Sequence, residues 1–245
     1  MSSPSGSTLH GWFIAGRPGG GAVVLMHGVR SNRLSMLARA RLLNAAGFSV
    51  LLFDFQAHGE STGTRITFGQ LEGLDAGAAI AFVRRRVPAE HVGAIGASLG
   101  GAAALLGPAP LPVDALVLES VYPDIEAAVA DRIRSTLGPS LGAVLASPLE
   151  QLFERLLPPV LGIDPAKLRP IDHIAEVGAP VFVASGQRDD HTTIAEATAL
   201  FDRAGNPKVF WAVPGAGHVD LESHAPEEYR RRVLPFLMDA LQRPR

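Results

Sequence analysis

The sequence predicts an α/β protein: a doubly wound, mostly parallel sheet with a helical insertion late in the chain. Three observations carry this. Short apolar runs rich in Val, Leu and Phe recur at Ala22 to Met26, Val50 to Phe53, Val92 to Ile95, Ala115 to Leu118, Val181 to Ala184 and Val209 to Val213. They are continuous rather than alternating, as strands buried on both faces of a parallel sheet should be. Segments of helical period lie between them, and such alternation implies right-handed crossovers, with ligands beyond the carboxyl ends of the strands. The 245 residues, 47% hydrophobic and 19% charged, supply the core of one large domain, so residues 1–245 are read as a single unit.

The helices follow from their punctuation. Leu34 to Ala46 stops at Gly47, and Ile194 to Ala204 stops at Gly205. Thr67 with Gln70 reads as a capping box before Leu71, Leu74, Ala78 and Phe82. Ala102 to Leu106 is helical. The last helix, Pro226 to Leu241, carries Glu227 and Glu228 in its first turn and Pro235 inside, which predicts a kink or an early stop near Leu234.

The interval from Leu118 to Val181 breaks this rhythm. From about Tyr122 to Pro170 (residues 122–170) it has Val129, Ile133 and Leu137 at helical spacing, then a leucine-rich stretch punctuated by Pro139, Pro148, Pro158 and Pro159. It reads as two or three short amphipathic helices capping the sheet. The face drawn from Val144, Leu145, Leu149, Leu152, Phe153 and Leu156 is expected to wall a pocket over the sheet edge and to favour uncharged groups there.

Composition excludes several function classes. A net charge of −2, with no basic run longer than Arg84 to Arg86 or Arg230 to Arg232, leaves no footprint for nucleic acid. Zero cysteines exclude disulfides, thiol catalysis and cysteine-ligated metals. The first twenty residues lack the basic start and apolar core of a signal peptide, and the other apolar stretches are broken by proline or charge. The expectation is a soluble cytoplasmic protein without stable membrane anchoring.

The stretch "GAIGASLGG", Gly93 to Gly101, places Ser98 between a strand and a helix with Gly96 and Gly100 on either side. This is the strand–turn–helix context of G-x-S-x-G, in which the serine backbone is strained and its hydroxyl is presented above the sheet. A serine needs a base and an orienting carboxylate. "SGQRDD" follows the strand at Val181 and "PGAGHVD" the strand at Val209, so Asp189 and His218 fall on the same rim as Ser98, in the order Ser, Asp, His. A helix-capping aspartate and a loop histidine are each ordinary; all three on one edge are not. Asp190 is the nearest rival for the acid, with Glu119 and Asp124 behind, and His224 rivals the base.

Oxyanion donors are expected from the backbone N–H of Leu99, after the serine, and of Val29, in "MHGVRSN". His27, Asp54 and His58 read as loop-ordering residues. No spacing argues for zinc and no phosphate loop is present, so neither metal nor cofactor is implied.

From Trp12 onward the chain resembles the serine hydrolases of the α/β-hydrolase superfamily, near the esterase, lipase and serine-aminopeptidase-like group. The resemblance rests on His27-Gly28, "DFQAHGESTG", "GASLGG", "GQRD" and "GAGH". It implies an α/β-hydrolase fold, a triad of Ser98, Asp189 and His218, and an oxyanion hole from Val29 and Leu99. One departure stands out: where relatives often read D-x-R-G-x-G-x-S, this chain has Gln56 and Ala57. The expected activity is hydrolysis of a small-molecule ester, thioester or amide through an acyl-enzyme. A non-catalytic ligand-binding module on the same fold is the alternative.

Overall fold

The computed structural model describes residues 1–243, except for the side chains of residues 139–144, 146, 154 and 161. The Val144 side chain therefore lies outside the described residues.

Seven strands form one sheet: β1 Gly11–Ile14, β2 Ala22–Met26, β3 Ser49–Phe53, β4 Val92–Ala97, β5 Ala115–Glu119, β6 Val181–Gly186 and β7 Lys208–Val213. Their order is β1-β3-β2-β4-β5-β6-β7. Only β1 is antiparallel, with Gly11 opposite Phe53. The expected strands all appear, within two residues at each end. The strand β1 was not anticipated: it is a short, partly exposed edge segment that lacks the buried apolar run of the others.

Continuous apolar strands are explained by two cores. Ala22, Val24 and Met26 of β2 face one layer with α2 (Gln70–Arg86), α3 (Leu99–Leu105) and α6 (Ile194–Arg203). Val23 and Leu25 face the other, with α1 (Leu37–Ala45) and α8 (Pro226–Leu241). The chain runs from β2 to β3 on one side, then crosses to β4 on the other. The crevice beyond the ends of β2 and β4 is thus the topological switch point, where open α/β sheets bind ligands.

Three local expectations are corrected. The first helix splits, a tight turn at Arg33–Met36 capped by Asn32 preceding α1. The cap of α2 is built by Glu72, not Gln70: its carboxylate accepts from the Thr67 N–H (2.9 Å), the Thr67 hydroxyl (2.6 Å) and the Gly69 N–H (2.9 Å). Helix α8 continues through Pro235. Tyr229, Val233, Leu237 and Leu241 anchor its buried face, while Pro235 is exposed, so the carbonyl it deprives of a partner faces water.

The insertion is longer and more continuous than expected. Helix α4 (Ile125–Leu161) is broken once, at Gly138 (φ 76°, ψ 174°), and runs on past Pro148. Asp124 caps it by accepting from the Ala127 N–H at 2.8 Å. Short turns at Pro165–Lys167, α5 (Pro170–His173) and Ile174–Glu176 return the chain to β6. A satellite core of Ile125, Leu157, Ile163 and Leu168, with Phe153 edge-on to Phe68, fastens it to the body.

Candidate active site

Ser98 sits where β4 ends and α3 begins, with φ 49° and ψ −111°. A non-glycine residue holds such a backbone only where its surroundings enforce it. Here its N–H donates to the Glu119 carbonyl (2.8 Å), and its own carbonyl accepts from Gly101 and Ala102 (both 3.0 Å). The flanking glycines are sterically required: a Cβ on Gly96 would strike the Gly100 and Gly101 backbone, and one on Gly100 would overlap the Met26 carbonyl. Leu99 opens α3, and Val29 follows the end of β2 across the switch point. Among the described residues, the N–H groups of Val29 and Leu99 have no protein acceptor.

Asp189 and His218 meet. His218 Nδ1 lies 2.9 Å from Oδ2 and 3.1 Å from Oδ1 of Asp189. The Asp189 side chain is fully buried, and its Oδ1 also accepts from the N–H groups of His191 and Thr192, both at 2.9 Å. Burial alone would raise its pKa; the His218 hydrogen bond and charge, with the two backbone donors, outweigh that and hold it below the ordinary carboxylate range.

The rivals lie elsewhere. Asp190 points outward and accepts from the Ser135 hydroxyl at 2.8 Å. Glu119 is buried against Arg39 and the Tyr229 hydroxyl (2.6 Å), Asp124 caps α4, and His224 Nε2 contacts the Pro214 carbonyl at 3.1 Å.

A cavity of about 300 Å³ opens at the switch point, with Ser98, His218, Gly28 and Val29 in its wall. Among the described residues, none of the expected apolar face lines it. From the insertion comes Arg132, and from the body Ser31, Ser35, Arg39, Glu119, Ser120 and Asp220. The leucines expected there are turned away: Leu149, Leu152 and Leu156 are exposed, and Phe153 belongs to the satellite core. Arg39, buried in α1, donates to Glu119 and Asp220 and so closes a charged network under the cavity floor.

Sequence reasoning missed His191. Its ring lies tilted against that of His218 with centroids 4.8 Å apart, and its Nε2 is 3.2 Å from Arg132 Nη1 and 3.3 Å from Ser135 Oγ. It thus connects the insertion to the His218 loop. Burial, Arg132 and His218 together lower its pKa. Its only signal was adjacency to "DD". Arg39 gave one too, a lone cation on an otherwise apolar helix stripe.

The loops around the site are ordered as expected, by different partners. His27 Nδ1–H donates to the Gly28 carbonyl (2.7 Å), while Nε2 accepts from the Phe55 N–H (3.1 Å). His58 likewise joins the Gln56 carbonyl (2.8 Å) to the Arg30 N–H (3.1 Å). Asp54 accepts from the Arg33 N–H (2.7 Å) and pairs with the Arg33 guanidinium, which also reaches Glu60 and lies over Trp12. Arg33 thus supplies Asp54 with a cation from the loop after β2. Gln56, at the departure from the usual motif, instead donates to the Arg65 carbonyl (2.6 Å) and to Glu72 (3.1 Å).

Among the described residues no three His, Asp or Glu side chains gather as a metal site, and no helix is long and apolar enough to cross a membrane.

Comparison with known proteins agrees with this architecture. The model of the alpha/beta hydrolase family matches residues 23–232. An uncharacterized protein of Mycobacterium tuberculosis is 30% identical over 249 residues, covering 99% of this chain and 76% of that protein. One from Bacillus subtilis is 23% identical, covering 97% and 77%. An esterase of Pyrococcus furiosus superposes with a TM-score of 0.78 at 25% identity, covering 98% of this chain and 89% of its own.

Proposed function

The chain belongs to the alpha/beta hydrolase family, and from that premise we propose that it is a serine hydrolase cleaving a small carboxylic ester through an acyl-enzyme. Ser98 Oγ attacks the carbonyl carbon. His218 Nε2 accepts the serine proton and returns it to the leaving alcohol, while Asp189 holds the imidazole with Nδ1–H toward the carboxylate. The N–H groups of Val29 and Leu99 receive the oxyanion. Water, deprotonated by His218, then attacks the acyl carbon, and collapse of that second tetrahedral intermediate frees Ser98 and the acid. A thioester or a small amide would use the same groups, and the insertion over residues 122–170 acts as the cap of a single catalytic domain.

The observation that carries this reading is the hydrogen bond from His218 to a buried, ionised Asp189, with His218 and Ser98 in the wall of one cavity. Unclaimed N–H groups on Val29 and Leu99 support it, as does the strained backbone of Ser98. The Pyrococcus relative is an esterase.

The test is covalent labelling with a fluorophosphonate probe, followed by peptide mapping. Labelling at Ser98 that disappears in Ser98→Ala, together with turnover of nitrophenyl esters, is the expected result. A folded protein that neither labels nor turns over esters is instead a ligand-binding module.

A further inference from the structure

Arg132 is the cation in the cavity wall that no carboxylate among the described residues claims. The other, Arg39, is bound by Glu119 through Nε and Nη2 and by Asp220 through Nη1. Arg132 has no ion-pair partner among the described residues; its Nη1 lies 3.2 Å from His191 Nε2. A neutral imidazole accepts one N–H of the guanidinium and leaves the remaining donors of its fork free.

A second unclaimed donor lines the same cavity. Ser120 is 6% exposed, and its hydroxyl is buried without a hydrogen-bond partner. Leaving such a group unsatisfied costs stability unless something fills it. Its backbone is left-handed as well, at φ 48°. Arg132 and Ser120 thus both belong to the wall of the cavity that contains Ser98, one offering a cationic donor and the other an unpartnered hydroxyl just beneath the surface.

Resting on the hydrolase reading above, we propose that the substrate is a hemi-ester carrying a free carboxylate, which accepts hydrogen bonds from Arg132 and Ser120 while its ester carbonyl meets Ser98. Arg132 sets specificity and takes no part in bond making. The lining charges of Arg39, Glu119, Asp220 and Arg132 sum to zero, so the preference arises from the placement of Arg132 and not from a long-range field. A forked guanidinium suits a carboxylate's two oxygens.

The experiment compares kcat/KM for two matched pairs. Mono-4-nitrophenyl glutarate against 4-nitrophenyl pentanoate places the carboxylate on the acyl part; 3-acetoxybenzoate against 3-methylphenyl acetate places it on the alcohol part. In at least one pair the wild type should favour the anionic ester, and Arg132→Ala should lower that ratio by about tenfold or more, the scale of a hydrogen bond to a charged group. Arg132→Lys should keep part of the ratio and Ser120→Ala should reduce it. Wild-type ratios at or below one in both pairs, or a ratio that Arg132→Ala leaves unmoved, overturn the proposal.

Calorimetric titration with glutarate gives a readout free of turnover. Binding by the wild type that weakens in Arg132→Ala is expected even if the ester chemistry were wrong. Absence of turnover on every ester would sink the hydrolase reading, and absence of Arg132-dependent glutarate binding would sink the carboxylate site.

Discussion

His218 Nδ1 lies between 2.9 and 3.1 Å from the two carboxylate oxygens of Asp189. An imidazole so held carries its proton on Nδ1 and presents the Nε2 lone pair to the cavity. Asp189→Asn removes the charge and lets the wrong tautomer form, so kcat should fall by about 10³ to 10⁴-fold. Asp190→Asn should change it little, since that carboxylate faces outward and, among the described residues, meets Ser135 and His191. Ester kinetics on both folded variants check this, and a larger loss in Asp190→Asn would transfer the role.

His27 should make the protein acid-sensitive. Burial holds its pKa down at about 4, with His58 adding to the effect, against the Gly28 hydrogen bond and Asp54, which favour the charged ring. In the unfolded chain a histidine titrates near ~6.5. Its contribution is therefore complete above that pH and is lost as pH falls toward 4, where the unfolded chain takes a proton that the fold refuses; the total is ~3 kcal/mol. Denaturant titrations should show ~2 kcal/mol of this lost between pH 7 and pH 5. His27→Asn should be less stable at pH 7 yet flatter across that range by the same amount. Parallel curves would mean the ring is protonated in the fold.

Five of the six parallel strands were legible because each is buried on both faces, which writes a continuous apolar run into the chain; β7, an edge strand only partly buried, was legible from its apolar run Val209 to Val213 alone. Ser98, Asp189 and His218 were legible for a related reason: each follows a strand, so linear position already sets the rim. The wall of the cavity was not legible. An amphipathic helix announces that one face is covered without saying by what, and Phe153 and Leu157 face Phe68 and Ile163, not the cavity. Arg132 reaches the cavity wall from α4, which meets the loop after β6 through Arg132–His191 and Ser135–Asp190, contacts between segments far apart in sequence. The network of Arg39, Glu119, Asp220 and Tyr229 was hidden likewise, because nothing in the linear order brings its members together.

A carboxyl pair should make the seat of the insertion sensitive to alkali. Glu196, in the first turn of α6, accepts from the Thr193 N–H (2.7 Å) and hydroxyl (2.9 Å). Burial raises its pKa to about 7 against those two bonds, and Asp131 on α4 pushes the same way. Asp131 also pairs with Arg134 at 2.8 Å. Because the folded pKa is raised, this contribution is fully present below the unfolded value near ~4.3 and is lost as pH rises through 7. Between pH 6 and 8 the protection of amides in the first turns of α4, measured against their base-catalysed intrinsic exchange rates, should fall. Glu196→Gln, which stays neutral, should abolish that dependence, and an unchanged pH response in this variant would remove the pair from the account.

The approach of α3 to β2 should tolerate no side chain at Gly100. A Cβ there would overlap the Met26 carbonyl, which is backbone in the middle of the sheet and cannot rotate away. Gly100→Ala must therefore push α3 from β2, at ~1–3 kcal/mol or more for an overpacked site. The same displacement moves the Leu99 N–H, on α3, relative to the Val29 N–H, which follows β2, so the distance between the two oxyanion donors changes. Misplacement on the scale of an ångström costs about 10²-fold in rate. Gly77, on α2, is the control: its Cβ would meet nothing within 4 Å, and Gly77→Ala should stabilise the helix by ~1 kcal/mol with turnover unchanged. Melting curves and ester kinetics on the two variants decide the matter. A Gly100→Ala protein with wild-type stability and rate would mean that α3 can shift without moving Ser98 or its donors, and the strained turn would then owe its position to Glu119 and β5 instead.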